Sequence, residues 1–233
     1  MKKFKNTLYL MMASIVIYAV LVSFNTINAN AEHPITNTQK SNISTSPSLP
    51  PLADFVPKNY VMYLSEDMDT IKGDLNKDGL EDVVLMVKGT NPQKVIQHEY
   101  RGTLDRNRRG LIVLLNKTDH YEVALENFTC FSSENEEGGN YFQPELSVAI
   151  LKGNLVLHYA HGRYGSWQYT FRRQNGNFEL IGYDALSRSS NPELDWVAFD
   201  EVSINFSTKK MLTKTVIGEN KNGGEIFEEL WTN

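Results

Sequence analysis

The chain has 233 residues, with 23 basic and 28 acidic side chains and a net charge of -5. Such a balance gives no general attraction to nucleic acid or to anionic membranes, and it suits a cation ligand. Cys130 is the only cysteine, so no intramolecular disulfide is possible. The fold has to be held by its core, with a metal as the one available staple.

Lys2, Lys3 and Lys5 make a basic start, Leu8 to Phe24 is nearly all apolar, and Ala29-Asn30-Ala31 is a small-x-small cleavage pattern. Together they predict a secretory signal peptide over 1–31, cut before Glu32, and hence an exported protein, periplasmic or secreted. Left uncut, the same stretch would anchor the chain, and that is the only membrane contact the sequence suggests. The three leader lysines removed, 20 basic residues face 28 acidic ones, a balance of -8. Residues 32–58 are polar and proline-rich, as in Ser46-Pro47-Ser48-Leu49-Pro50-Pro51, and read as a flexible linker that buries too little to offset its ordering entropy. Residues 59–233 then have the length of one domain.

Strand signals dominate that domain. Val83 to Val87 and Leu111 to Leu115 are fully apolar runs, the pattern of buried strands. Tyr121 to Leu125 alternates. Leu146 to Ile150 and Leu155 to Tyr159 flank Lys152-Gly153-Asn154, a hairpin turn, and Trp167 to Arg172 runs through Asn175-Gly176 into Phe178 to Ile181. Val202 to Phe206 and Met211 to Ile217 flank a further turn, and Asn222-Gly223-Gly224 precedes Ile226 to Trp231. Strands joined by tight turns predict an all-β domain with minor helix, an antiparallel sheet or sandwich or a partial-propeller-like arrangement. Asn91 to Arg109 reads as an irregular or helical excursion. Its basic cluster, Arg101, Arg106, Arg108 and Arg109, reads as a solvated loop with some arginines paired to the surplus carboxylates.

The most specific segment is Asp74-Leu-Asn76-Lys-Asp78-Gly79-Leu80-Glu-Asp82. Calcium takes six to eight oxygen ligands in forgiving geometry. With Asp74 as position one, side-chain oxygens fall at positions one, three, five and nine: Asp74, Asn76, Asp78 and Asp82. The backbone carbonyl of Leu80 fills position seven, and Gly79 sits where the chain must turn sharply. Carboxylates this close repel one another, and a cation converts that repulsion into binding. Position twelve is Leu85, not glutamate, and a strand follows, so this is not an EF-hand. The run from Gly73 to Leu85 instead resembles the calcium loops of FG-GAP and VCBS-type repeats, and the chain as a whole resembles uncharacterised exported bacterial proteins with a single such loop. That resemblance implies a structural calcium held between two strands. No second good copy exists, so a calcium-loaded propeller is not expected.

The second unusual stretch is Leu157 to Tyr169. His158, His161, Arg163, Tyr164, Trp167 and Tyr169 are its candidate ligand-binding residues, with flat aromatic faces and a planar guanidinium suited to a glycan or a protein partner. Ordinary cross-strand packing competes with that reading. A zinc site at His158 and His161 is disfavoured because residues three apart on a strand point to opposite faces. Ser166 lacks the Gly-x-Ser-x-Gly elbow of a hydrolase nucleophile. Cys130 has no thiol-activating motif beside it. Asn42, Asn116, Asn127 and Asn205 are sequons, and Glu134 to Asn140 reads as a mobile acidic loop. The expectation is a non-enzymatic, calcium-binding interaction protein of the cell envelope. An extracytoplasmic hydrolase using the His158/His161 region and an inhibitor or immunity-type partner of an exported protein are the alternatives.

Overall fold

A computed structural model describes residues 49–63, 70–136 and 143–232. The expected leader (1–31), most of the expected linker (32–48) and part of the acidic loop (137–140) lie outside the described residues. Fourteen strands form two main antiparallel sheets and one small hairpin among the described residues. The domain is all-β, with only three short 3-10 turns besides.

The first sheet has β3 (Asp82–Gly89) and β6 (Arg109–Asn116) at its centre. β7 (Tyr121–Phe131) pairs with the far side of β6. Two three-residue strands, β1 (Tyr60–Met62) and β2 (Ile71–Gly73), lie end to end along the other edge of β3. The second sheet is a seven-stranded meander in chain order. It comprises β8 (Glu145–Leu151), β9 (Asn154–Ala160), β10 (Gly165–Gln174), β11 (Asn177–Arg188), β12 (Phe199–Asn205), β13 (Lys210–Glu219) and β14 (Glu225–Thr232).

The apolar runs of β3 and β6 are continuous because both of their faces are covered. Val84, Met86, Leu111, Val113 and Leu115 point one way, into a core with Leu75, Phe131, Val148 and Leu155, joined by Leu157, Phe171 and Phe178. This is the contact between the two sheets and makes the domain a sandwich. Val83, Leu85, Val87, Ile112 and Leu114 point the other way, against Leu52, Phe55, Val56, Tyr60, Met62, Tyr121 and Phe128. Fully burying each such aliphatic side chain stabilises the fold by roughly 1.5–3 kcal/mol. β3 and β6 therefore carry much of the hydrophobic free energy.

Two features differ from the expectation. Leu52–Phe55 is a 3-10 turn whose apolar side chains cover the back of the first sheet, so packing begins inside the segment read as linker. Asn91 to Arg109 is not a helical excursion. It holds one 3-10 turn, Pro92–Lys94, and a two-stranded hairpin, β4 (Val95–His98) with β5 (Gly102–Asp105). Of its basic cluster, Arg109 is buried, ion-paired with Glu134 at 2.8 Å and stacked over the Tyr63 ring at 5.2 Å. Arg101 and Arg106 donate to the side chain and backbone of Asn135, and Arg108 donates to the Thr129 carbonyl. Arg101, Arg106 and Arg109 tie down the loop that follows β7, and Arg108 ties to β7 itself. The expected pairing with a carboxylate is met at Arg109–Glu134, while Arg109 is buried rather than solvated.

Candidate functional site

The Asp74–Asp82 loop links β2 to β3, which pair antiparallel from Gly73↔Asp82 inward. Its own oxygens curl it. Asp74 Oδ1 accepts from the Lys77 and Asp78 amides at 2.6 and 3.2 Å, and Asp74 Oδ2 accepts from the Gly79 amide at 3.0 Å. Asn76 Oδ1 accepts from the Asp78 amide at 3.0 Å, and Asp78 Oδ1 from the Leu80 amide at 2.9 Å. The turn needs left-handed backbone at Lys77 (φ 64°) and Gly79 (φ 85°). Glycine meets the second requirement without steric cost. The Leu80 amide and the Asn76 side chain hold the Asp78 carboxyl below the ordinary aspartate value of 3.8.

Asp82 behaves differently from the other members of the set. Its side chain is fully buried, Oδ2 accepts from the Leu75 amide at 2.8 Å, and Oδ1 accepts from the Asn116 amide at 3.0 Å. The carboxylate thus joins three places: the start of the loop, the first residue of β3 and the last of β6. The Asn116 side chain closes the same junction by donating to the Glu81 carbonyl at 3.3 Å. Burial pushes the Asp82 carboxyl up, and the nearby Asp78 and Asp74 charges push in the same direction against its two amide donors. In the sequence Asn116 stands out only as a sequon. No sequence signal marks it as the partner of a residue 34 positions away.

The donor set matches calcium chemically: hard oxygens from Asp74, Asn76 and Asp78, with a backbone carbonyl available at Leu80. Asp82 is the member that fits least well, since its side chain is fully buried and its oxygens are engaged by the buried Leu75 amide and the half-buried Asn116 amide. Among the described residues no group of three or more His, Cys, Asp or Glu side chains gathers closely enough to hold a metal ion.

The aromatic stretch straddles the turn between β9 and β10. Trp167 lies directly across from Tyr159, and the rings stack 5.1 Å apart at 16°. Tyr169 lies across from Tyr183 on β11, with rings 5.3 Å apart. At the turn, Gly162–Tyr164 forms a 3-10 turn closed by the His161 amide bonding to the Gly165 carbonyl at 2.8 Å. The His161 ring lies 4.9 Å from Tyr164 and edge-on to Trp167 at 6.3 Å. Arg163 folds back over the Tyr164 ring at 5.0 Å and donates to its hydroxyl at 2.9 Å. His161, Arg163, Tyr164, Trp167 and Tyr169 therefore lie together on the core-facing side of the second sheet. Tyr159 and Leu157, across from Trp167 and Tyr169, pack against the inter-sheet core, and of the five only Arg163 and Tyr164 are exposed. Tyr159 and Tyr183 complete the group, and the cross-strand register alone brings Tyr183 in. Burial raises the Tyr159 and Tyr183 hydroxyls above the ordinary tyrosine value.

His158 is the exception. It pairs with Gln168 and Ser147 in register, on the face opposite Trp167. Ser166 shares that opposite face, while His161 packs beside Trp167. The two histidines thus diverge, as strand parity demands. Cys130 donates weakly to the Asn127 carbonyl at 3.5 Å, and burial of its sulfur pushes the thiol up, away from nucleophilic character.

No helix among the described residues is long and apolar enough to cross a membrane. No protein-family model, no curated protein and no solved structure matches this chain.

Proposed function

We propose that this chain is an exported, non-enzymatic binding domain of the cell envelope, taking a glycan or protein partner on the Trp167 surface and stabilised by one calcium ion. One observation carries the reading. Five of the six side chains with recognition chemistry lie together at the margin of the inter-sheet core, with Arg163 and Tyr164 exposed at the rim and the Tyr159–Trp167 stack, packed against the core, behind them. Rings fixed by cross-strand stacking lose little conformational freedom on binding, and a guanidinium at the rim supplies directional donors. The basic start, apolar run and Ala29-Asn30-Ala31 site support export.

Asp74, Asn76, Asp78 and the Leu80 carbonyl would hold the ion, with Asp82 anchoring the loop behind them. Bound calcium supplies positive charge that offsets carboxylate repulsion, and it takes no part in chemistry here. A binding screen of glycans and peptides on the Glu32–Asn233 fragment, repeated with Trp167→Ala, tests the surface. The expected result is at least one ligand whose affinity falls about tenfold or more in the variant, as for an interface anchor. Equal affinity in both proteins for every ligand bound would refute the assignment. For the ion, Asp78→Ala should destabilise the protein more in calcium-containing buffer than in chelator, where only its bonds to Leu80 and Asn76 are lost. The difference should be what a saturating ligand adds, about 2.7 kcal/mol at a hundred times Kd. A loss of the same size with calcium and with chelator would remove the site.

A further inference from the structure

β14 ends the seven-stranded sheet, and no strand among the described residues pairs with its outer edge. It is paired to β13 along its whole length, from Glu219↔Glu225 to Met211↔Thr232. Its inner edge is therefore fixed while its outer row of amides and carbonyls stands open. Seven of its eight residues are exposed, including Ile226 at 43%, Leu230 at 60% and Trp231 at 62%. Natural sheets protect such edges with charged side chains, lysine above all, and with proline, bulges or very short strands. The other edges here carry that protection. β1 and β2 have three residues each, and β7 follows β6 through two register shifts. β8 lies against β2, where a Cβ placed on Gly73 would come 2.6 Å from Ile150. β14 has neither proline nor lysine and pairs regularly apart from one bulge in β13 between Val216 and Gly218. Its protection is three glutamates, which discourage neutral or acidic strands and leave the edge open to a basic one.

Its charge indicates the occupant. Glu225, Glu228 and Glu229 all lie on this strand, and only Glu229 has a cationic neighbour, Lys214 at 3.6 Å, which it shares with Glu201. Glu225 and Glu228 make no ion pair among the described residues. A second copy adding antiparallel in full register would set Glu228 opposite Glu229 twice, and a parallel in-register copy would stack each glutamate on itself. Like charges directly opposite destabilise a strand pair, and opposite charges stabilise it. We infer that the outer edge of β14 accepts an extended, basic segment of another polypeptide as an eighth strand. Main-chain hydrogen bonds give the affinity, the glutamates select lysine or arginine, and the exposed Leu230 and Trp231 cover alternate side chains of the added strand. This site is separate from the Trp167 surface and does not depend on it.

The probe is a synthetic eight-residue peptide alternating lysine with valine and threonine, titrated against the full chain by anisotropy, with a glutamine-for-lysine peptide as control. Hydrogen–deuterium exchange then reads the β14 amides. The expected result is tight binding of the basic peptide only, slowed exchange at alternate β14 amides, and a monomer by sedimentation without peptide. Glu225→Lys/Glu229→Lys, a pair on one face of β14, should weaken the basic peptide about tenfold or more, the summed effect of converting attractive cross-strand pairs to repulsive ones. Equal binding of both peptides, or binding without β14 protection, overturns the inference. So does self-association of the free protein through β14. The two-peptide comparison decides the matter even if the double variant fails to fold.

Discussion

Replacing Asp82 with alanine tests whether this residue staples the fold independently of any ion. The change removes both acceptors from a fully buried carboxylate. The Leu75 amide, deep in the core beside a 2% exposed side chain, loses the acceptor it has. Leaving a buried donor unsatisfied costs about 1–3 kcal/mol, and charge-assisted bonds lie toward the upper end. The Asn116 amide is only half-buried, so water can replace part of what it loses. Counting the first in full and the second at half gives about 3 kcal/mol for the pair. A domain of this size loses about 2–4 °C per kcal/mol, so the melting temperature should fall by about 6–12 °C. The assay is thermal unfolding followed by circular dichroism, run in chelator so that no divalent ion contributes. A drop smaller than about 3 °C would refute the claim that Asp82 joins loop, β3 and β6 by itself.

Further outcomes follow from the same geometry. Asp105 feels burial, which raises its pKa. Bonds from the Asn107 amide at 2.9 Å and the Asn107 side chain at 2.8 Å, with Lys88 at 3.0 Å, outweigh it and hold the carboxyl below 3.8. A depressed folded value means this stabilisation is present above 3.8 and lost as pH falls through the lower folded value. Urea melts of Asp105→Asn should therefore show a loss of about 1 kcal/mol at pH 7 that shrinks below pH 3.8. A pH-independent difference would contradict this. Gly165 has φ 116°, and a Cβ there would collide with the Leu186 carbonyl, so Gly165→Ala should cost about 3 kcal/mol or more and misplace the His161–Tyr164 turn. Near-ultraviolet dichroism of the Tyr159–Trp167 stack reports the second effect, and an unchanged spectrum and melting temperature would refute it.

The parts of this fold that were legible in the sequence are those where one physical cause acts alone. Val83 to Val87 and Leu111 to Leu115 read as buried strands because both faces are covered, which leaves no room for polar alternation. The Lys152-Gly153 and Asn175-Gly176 turns read correctly because both residues of each pair adopt positive φ, the need that selects such pairs in tight hairpins. The opposed orientation of His158 and His161 followed from strand parity. Where causes overlap, the sequence was silent or misleading. The prolines around Leu52 and Phe55 dominate the local composition and conceal apolar side chains that cover a whole sheet face. The Val95–Asp105 hairpin has strands of four residues, too short for a period to show. Tyr183 joins the aromatic surface only through register, and Asn116 meets Asp82 only through the pairing of β3 with β6. Asp82 itself shows how one residue type in a motif can have two uses. Spacing marks it as a ligand, while its burial makes it a brace.

The two-sided burial of β3 and β6 also makes the molecule mechanically uneven. Opening either strand exposes both cores at once, so their amides should exchange only when the domain unfolds globally. Cover is weakest at the last strand of the meander, where Leu230 and Trp231 are exposed, while Val148, Leu155 and, on β13, Val216 are buried. That last strand can fray and reclose while the sandwich stays intact. The protein thus behaves as a rigid anvil with a compliant blade, and sequence changes on the blade will be tolerated that would be ruinous on the anvil.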